Sequence, residues 1–144
     1  MPAKESTNEK TQKPLSKSNL LAYRQCERRL WLEVHQPHEA EVSASAQARF
    51  DTGHRVGELA RRLYDPAGKG TLLEPHKEGV AQAIERSASL LASTRPVFEA
   101  GFSAAGARAF ADVMLPIRAG GRKAWRMVEV KSATKLKDYH HDDV

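Results

Sequence analysis

The stretch from Ala107 to Lys131 reads ARAFADVMLPIRAGGRKAWRMVEVK. Its apolar residues follow a period of two rather than the three-and-four spacing of a helix. The pair Gly120-Gly121 divides it. Ala107 to Leu115 therefore predicts one strand and Ala124 to Lys131 another, joined by a glycine loop. Just upstream, Val97-Phe98-Glu99-Ala100-Gly101-Phe102 follows Pro96 and predicts a strand before them. Short connections of this kind favour a three-stranded antiparallel meander.

Working outward, the residues before Pro96 carry helical spacing. Ser16 or Ser18 is a candidate N-cap, and Leu20, Tyr23, Leu30, Trp31 and Val34 follow before Pro37 ends the segment. Ser45 to Tyr64 predicts a second helix with Phe50, Val56, Leu59, Ala60 and Leu63 as its apolar stripe. Gly53 and Gly57 lie four apart on one face of it. Each glycine costs a helix about 1 kcal/mol, so the pair implies close approach by a backbone or a ligand. Pro75 to Ser93 predicts a third helix, with Val80, Ala83, Ile84, Ser87, Ala88 and Leu91 as its buried stripe. Helices followed by a small sheet make an α+β domain. Residues 1–14 are polar and predict a disordered tail, with order beginning at Leu15.

Two interruptions of the strand pattern carry chemistry. Asp112 breaks an apolar run, and a buried charge there must be paired or bound to a cation. Glu129 and Lys131 project from one face of their strand, while Val128 and Val130 point to the other. If these strands pair as a hairpin, Asp112 lies beside Glu129. Adjacent carboxylates repel unless a cation sits between them. An all-oxygen donor set suits a hard cation, Mg²⁺ or Mn²⁺. Such an ion can activate water beside a scissile phosphate, and Lys131 can orient that water or stabilise developing charge.

The chain of 144 residues holds 23 basic and 18 acidic side chains, a net charge of +5. From Pro116 to Lys137 there are seven basic residues against the single acid Glu129, a surplus larger than that of the whole chain. Arg118, Arg122, Lys123, Lys135 and Lys137 of this segment are candidates for holding a phosphate backbone, with Arg24 and Arg28 of the first helix. No run approaches the ~20 apolar residues that cross a bilayer, and the N-terminal residues have no apolar core of a secretory signal. The one cysteine, Cys26, cannot form an internal disulfide. A cytoplasmic protein with no membrane partner is the expectation.

The order A-D-V, a spacer, then M-V-E-V-K-S-A-T resembles the core motif of the PD-(D/E)XK nuclease superfamily. Within it, the chain resembles the RecB-like and CRISPR-adaptation-type nucleases and an uncharacterised bacterial nuclease-like family. That family opens with a segment like Leu15-Ser16-Lys17-Ser18 and Cys26-Glu27-Arg28-Arg29-Leu30-Trp31. It also carries a block like Phe50, Gly53, Val56, Gly57, Leu59, Ala60 and Arg61. The resemblance spans residues 15–144. It implies a restriction-endonuclease-like core of a helix, three antiparallel strands, a helix and a further strand. It implies Asp112 and Glu129 as metal ligands assisted by the Val130 carbonyl, Lys131 as the catalytic lysine, and Glu58 as an additional acid from the helix.

The same resemblance leaves some positions unmatched. The histidine that RecB-like members place four residues after a helical glycine is Gly57 here, and His54 is offset. Cys26 stands where iron–sulfur-bearing relatives have their first cluster ligand, but their other cysteines are missing, so no cluster is expected. Glu99 could reach the site, though the strand pattern reads it as solvent-facing. His140-His141-Asp142-Asp143 reads as the polar start of another helix. The implied fold needs a helix and strand after Val144, so 15–144 is expected to be an incomplete nuclease-like domain. The expected activity is metal-dependent hydrolysis of DNA phosphodiesters. The alternatives are a nucleic-acid-binding module with an inactive site and a protein-interaction domain with a basic hairpin.

Overall fold

The computed structural model describes residues 14–40, 43–135, 137, 140 and 141. The expected tail, apart from Pro14, lies outside the described residues. The chain folds as a mixed α+β domain whose long strands position everything else. β3 (Val97–Ala104) and β4 (Ala107–Ala119) pair antiparallel from Val97↔Met114 to Ala104↔Ala107. β4 and β5 (Arg122–Val128) pair antiparallel from Val113↔Val128 to Ala119↔Arg122. Both hairpins turn on two residues with positive φ. Ala105 and Gly106 make the first turn; Gly120 and Gly121 make the second, at φ 56° and 77°. Turns of this hand match the twist of the strands they join, and they require left-handed backbone.

The sheet is mixed and five-stranded, not a meander alone. β1 (Leu15–Ser16) runs parallel to the start of β4, with Leu15↔Ala107 and Ser16↔Arg108. β2 (Thr71–Leu72) runs parallel to the start of β3, with Thr71↔Val97 and Leu72↔Phe98. Two-residue strands carry no periodicity, so the sequence pattern passes over them. β4 thus shares one edge between two neighbours: β1 at its start, β5 along its last seven residues.

The expected first helix is two: α1 (Lys17–Gln25) and α2 (Glu27–His35), broken at an extended Cys26. The apolar stripe lapses there, because the position that would continue it is Glu27. α3 (Ala44–Tyr64) matches the expected second helix within a residue. The expected third helix divides at Gly79 into α4 (Pro75–Glu78) and α5 (Val80–Leu91). The predicted apolar stripes of α2 and α3 are largely exposed rather than packed: Trp31 is 52% exposed and Leu63 72%. Among the described residues, no helix is long and apolar enough to cross a membrane.

The core lies between α5 and the sheet. Leu73, Val97, Ala100, Ala111 and Met114 form it, with Leu90, Leu91 and Trp125 packed against it. A buried serine joins the two layers. Ser87 Oγ donates to the Ala83 carbonyl at 2.7 Å and accepts the Gly101 N–H at 2.7 Å. The layers meet so closely at Gly101 that a Cβ there would lie 2.7 Å from the Phe110 ring and 2.8 Å from Ile84. Gly101→Ala is therefore expected to lower the unfolding free energy by about 2 kcal/mol, the scale of an overpacked core. Denaturant unfolding measures it; a loss under about 0.5 kcal/mol contradicts the close approach.

Candidate active site

The site forms where β5 leaves β4. Val128 opposite Val113 is the last register pair, and beyond it the chain continues as Glu129, Val130 and Lys131. The Val130 N–H stays attached to β4 through a side chain: it donates to Asp112 Oδ2 at 2.6 Å. This bond holds the segment beside Asp112. Glu129 is 11% exposed and accepts at Oε1 from Lys131 Nζ at 2.7 Å and from Lys17 Nζ at 2.8 Å. Asp112, Glu129, Val130 and Lys131 therefore converge.

Glu99 joins them. Its neighbours pair as Phe98↔Val113 and Ala100↔Ala111, which sets Glu99 opposite Asp112. Its own backbone is left-handed, at φ 57°, and the ladder lapses at this one position. A non-glycine residue there is strained by about 1 kcal/mol or more. The strand pattern alone reads Glu99 as facing solvent; the left-handed turn instead leaves it half-buried in the cleft. Burial pushes its carboxyl up to about 7, with Asp112 and Glu129 adding to the rise and Arg61 and Lys17 opposing it. The Asp112 carboxyl is raised as well, chiefly by burial. The Val130 N–H, Lys17 and Lys131 favour its charged form, and Glu129 opposes it.

The cleft above these acids has a volume of about 220 Å³. α3 makes its other wall with Gly53, Gly57, Ala60 and Arg61, residues that share one helix face. The two glycines have no close neighbour within the described chain. Apart from the adjoining residues and the backbone of α3 itself, no described atom lies within 4 Å of a Cβ built at Gly53, and at Gly57 the nearest is the Arg61 guanidinium at 3.9 Å. Their lack of side chains widens the cleft rather than admitting another element of the protein.

Other expected site residues fall elsewhere. Glu58 is exposed and paired with Arg62 at 2.5 Å, one position round the helix from the cleft face. His54 is exposed and does not line the cleft. Arg118, Arg122 and Lys123 sit at the tip of the β4–β5 hairpin. Seven residues separate Arg122 from Glu129, about 23 Å along an extended chain, so the tip does not surround the site. Lys123 has a structural task. Its ammonium donates to the carbonyls of Leu91 and Ala92 at 3.1 and 2.7 Å, at the end of α5, and lies 5.5 Å from the centre of the Trp125 ring. Lys135 and Lys137 are exposed in the segment after Lys131, and Arg24 and Arg28 on α1 and α2. Cys26 is exposed. His140, expected to be exposed, is buried, and its Nδ1 accepts the Lys137 N–H at 3.2 Å.

The donor set is all oxygen and suits a hard divalent cation. Among the described residues, however, no three His, Cys, Asp or Glu side chains lie close enough together to hold a metal ion. A bound ion would have two protein carboxylates, Asp112 and Glu129, and would fill its shell with water and substrate oxygens. No protein-family model matches the chain, and no curated protein and no solved structure matches it.

Two measurements check this geometry. Glu99 is raised above its unfolded value, so its contribution to stability is complete at acid pH and is lost as pH rises from about 4.5 through about 7. In the absence of divalent ions, Glu99→Gln is expected to raise the thermal midpoint near neutral to mildly alkaline pH and to change it little near pH 4.5. An equal effect at both ends contradicts a buried, protonated Glu99. Separately, Lys123→Ala is expected to cost about 1 kcal/mol in denaturant unfolding, and Arg122→Ala less than about 0.5 kcal/mol. Equal small losses would remove the cap on α5.

Proposed function

We propose that this protein cleaves phosphodiester bonds in DNA with the help of Mg²⁺ or Mn²⁺. One observation carries the reading: Asp112, Glu129 and Lys131 come together at the end of β5, held by the bond from Val130 to Asp112. Asp112 and Glu129 would hold the ion, with the Val130 carbonyl as the resemblance implies. When bound, a divalent ion supplies Lewis-acid charge and makes water a better nucleophile.

The chain's own residues do the rest. Lys131 Nζ, which lies against Glu129 in the metal-free chain, orients the attacking water or meets the charge growing on the phosphate oxygens. Arg61 on the facing wall offers a planar fork that suits a phosphate. Gly53 and Gly57 leave that wall bare, so a sugar–phosphate backbone can lie close to the helix. Glu99 is largely protonated below about pH 7, which keeps one negative charge away from an anionic substrate.

The test is cleavage of single- and double-stranded DNA with Mn²⁺, with Lys131→Ala and Asp112→Asn as controls. Each variant is expected to lose at least about 100-fold in rate, and chelation to abolish cleavage. A second reading, binding without cleavage, draws on the two ammonium groups that already occupy Glu129. It prevails if the wild-type chain binds DNA with a steep salt dependence but does not cut. Neither cutting nor binding would leave a protein-interaction domain. Undiminished Mn²⁺ affinity in Asp112→Asn, read by calorimetry, removes Asp112 from the metal site.

A further inference from the structure

Lys17 is the first residue of α1. The first turn of a helix favours negative charge, because unpaired N–H groups give that end a partial positive charge. A lysine there opposes its own helix, and α1 has no acid in its first turn to offset it. The placement is nonetheless firmly made. Ser16 pairs with Arg108 through β1, which fixes the backbone just before Lys17. Ser16 and Asn19 then close a reciprocal cap: the Asn19 N–H donates to Ser16 Oγ at 3.1 Å, and the Ser16 N–H donates to Asn19 Oδ1 at 3.0 Å.

From this anchored start the side chain crosses the gap that separates β1 from β5 on the edge of β4. Its ammonium meets Glu129 Oε1 at 2.8 Å and is 27% exposed. Its charge also acts on Glu99 and Asp112, favouring the ionised form of each. Glu99, Asp112 and Glu129 thus repel one another around a point that Lys17 approaches from the α1 side. Lys131 meets the same Glu129 oxygen from the strand side.

We propose that Lys17 is the resident counter-cation of the carboxylate site, and that a divalent ion binds by taking Glu129 Oε1 from it. The proposal rests on the metal-dependent reading above. Its physical basis is competition. Carboxylates this close need a positive partner for the chain to fold without metal, and one oxygen cannot serve an ammonium and a divalent ion at full strength together. The exchange is ionic: the ion enters and the ammonium leaves, with no bond made or broken in the chain. Lys17 is on this account a positioning residue. It keeps Glu129 aimed at Asp112 until an ion takes over, and it sets the ion concentration at which that happens.

The experiment uses the whole chain and Mn²⁺ alone. Lys17→Met keeps most of the side-chain stem and removes the charge. It is expected to bind Mn²⁺ roughly tenfold more tightly than wild type, the scale of one charge-assisted hydrogen bond removed from competition. Without metal it is expected to melt at a lower temperature, with the gap closing at saturating Mn²⁺. A lysine that merely supported the fold would weaken Mn²⁺ binding or leave it unchanged. That result overturns the proposal, while Asp112-dependent Mn²⁺ binding by the wild type leaves the metal reading intact. Absence of Mn²⁺ binding in both chains overturns the two together. If Lys17→Met fails to fold, the wild type answers instead. Reductive methylation of Lys17, followed by peptide mass spectrometry, should quicken several-fold on adding Mn²⁺ relative to the exposed Lys69. An unchanged ratio overturns the exchange.

Discussion

One edge of β4 has to serve two neighbours. β1 takes its first two residues, in parallel, and β5 takes the last seven, antiparallel. Between them the edge has no ladder partner among the described residues, and Asp112 sits where the second partnership begins. A strand that ends opposite an aspartate can extend its pairing by one bond, from its backbone N–H to that side chain. The bond from Val130 to Asp112 does this. It fixes the chain after β5 at a known height and carries Glu129 and Lys131 with it. Because side chains alternate along a strand, a slip of one residue between β4 and β5 would turn Asp112 or Glu129 to the opposite face. Register is therefore the constraint on which the acid pair depends, and the tight Gly120-Gly121 turn helps to set it.

The two walls of the cleft are unlike in construction. The sheet wall is built from hydrogen-bonded strands backed by a core of Leu73, Val97, Ala100, Ala111 and Met114. The α3 wall buries Ala60 but exposes Phe50, Leu59 and Leu63. Few buried apolar contacts mean low local stability. Asp112, Glu129 and Lys131 are thus held on the rigid side, and Arg61 and the bare glycine face lie on the more yielding side. Such a division lets a cleft adjust its width without disturbing the spacing of the acids.

Much of this was legible in the residues, for reasons that can be named. Asp112 stood out because an aspartate in an apolar strand needs a partner, and Glu129 and Lys131 because a period of two puts them on one face. The bounds of α3 followed from its apolar spacing. Other features left no local trace. Lys17 is 112 positions from Glu129, and nothing in its own surroundings points there. The left-handed backbone of Glu99 is set by its tertiary setting, since a glutamate has no preference for it. Leu15–Ser16 and Thr71–Leu72 are too short to show a period. The charge count from Pro116 to Lys137 does not show how its members are spread in space, because a hairpin carries its tip away from its ends. Lys123 shows the same lesson, as a cation whose partners are the last carbonyls of α5.

The separation between Lys17 and Glu129 bears on time as well as space. Closing a loop of 112 residues costs about 4 kcal/mol of chain entropy, more than most contacts return by themselves. The contact can therefore persist only after β4 has found both β1 and β5 along its shared edge. Synthesis runs from the N-terminus, so Lys17 is made first and waits for a Glu129 that emerges more than a hundred residues later. Partly folded forms of the chain can hold the α1 cap or the β4–β5 hairpin without the assembled charges. The charged cluster is in this sense a late-folding feature, and its chemistry is tied to completion of the sheet rather than to any local segment.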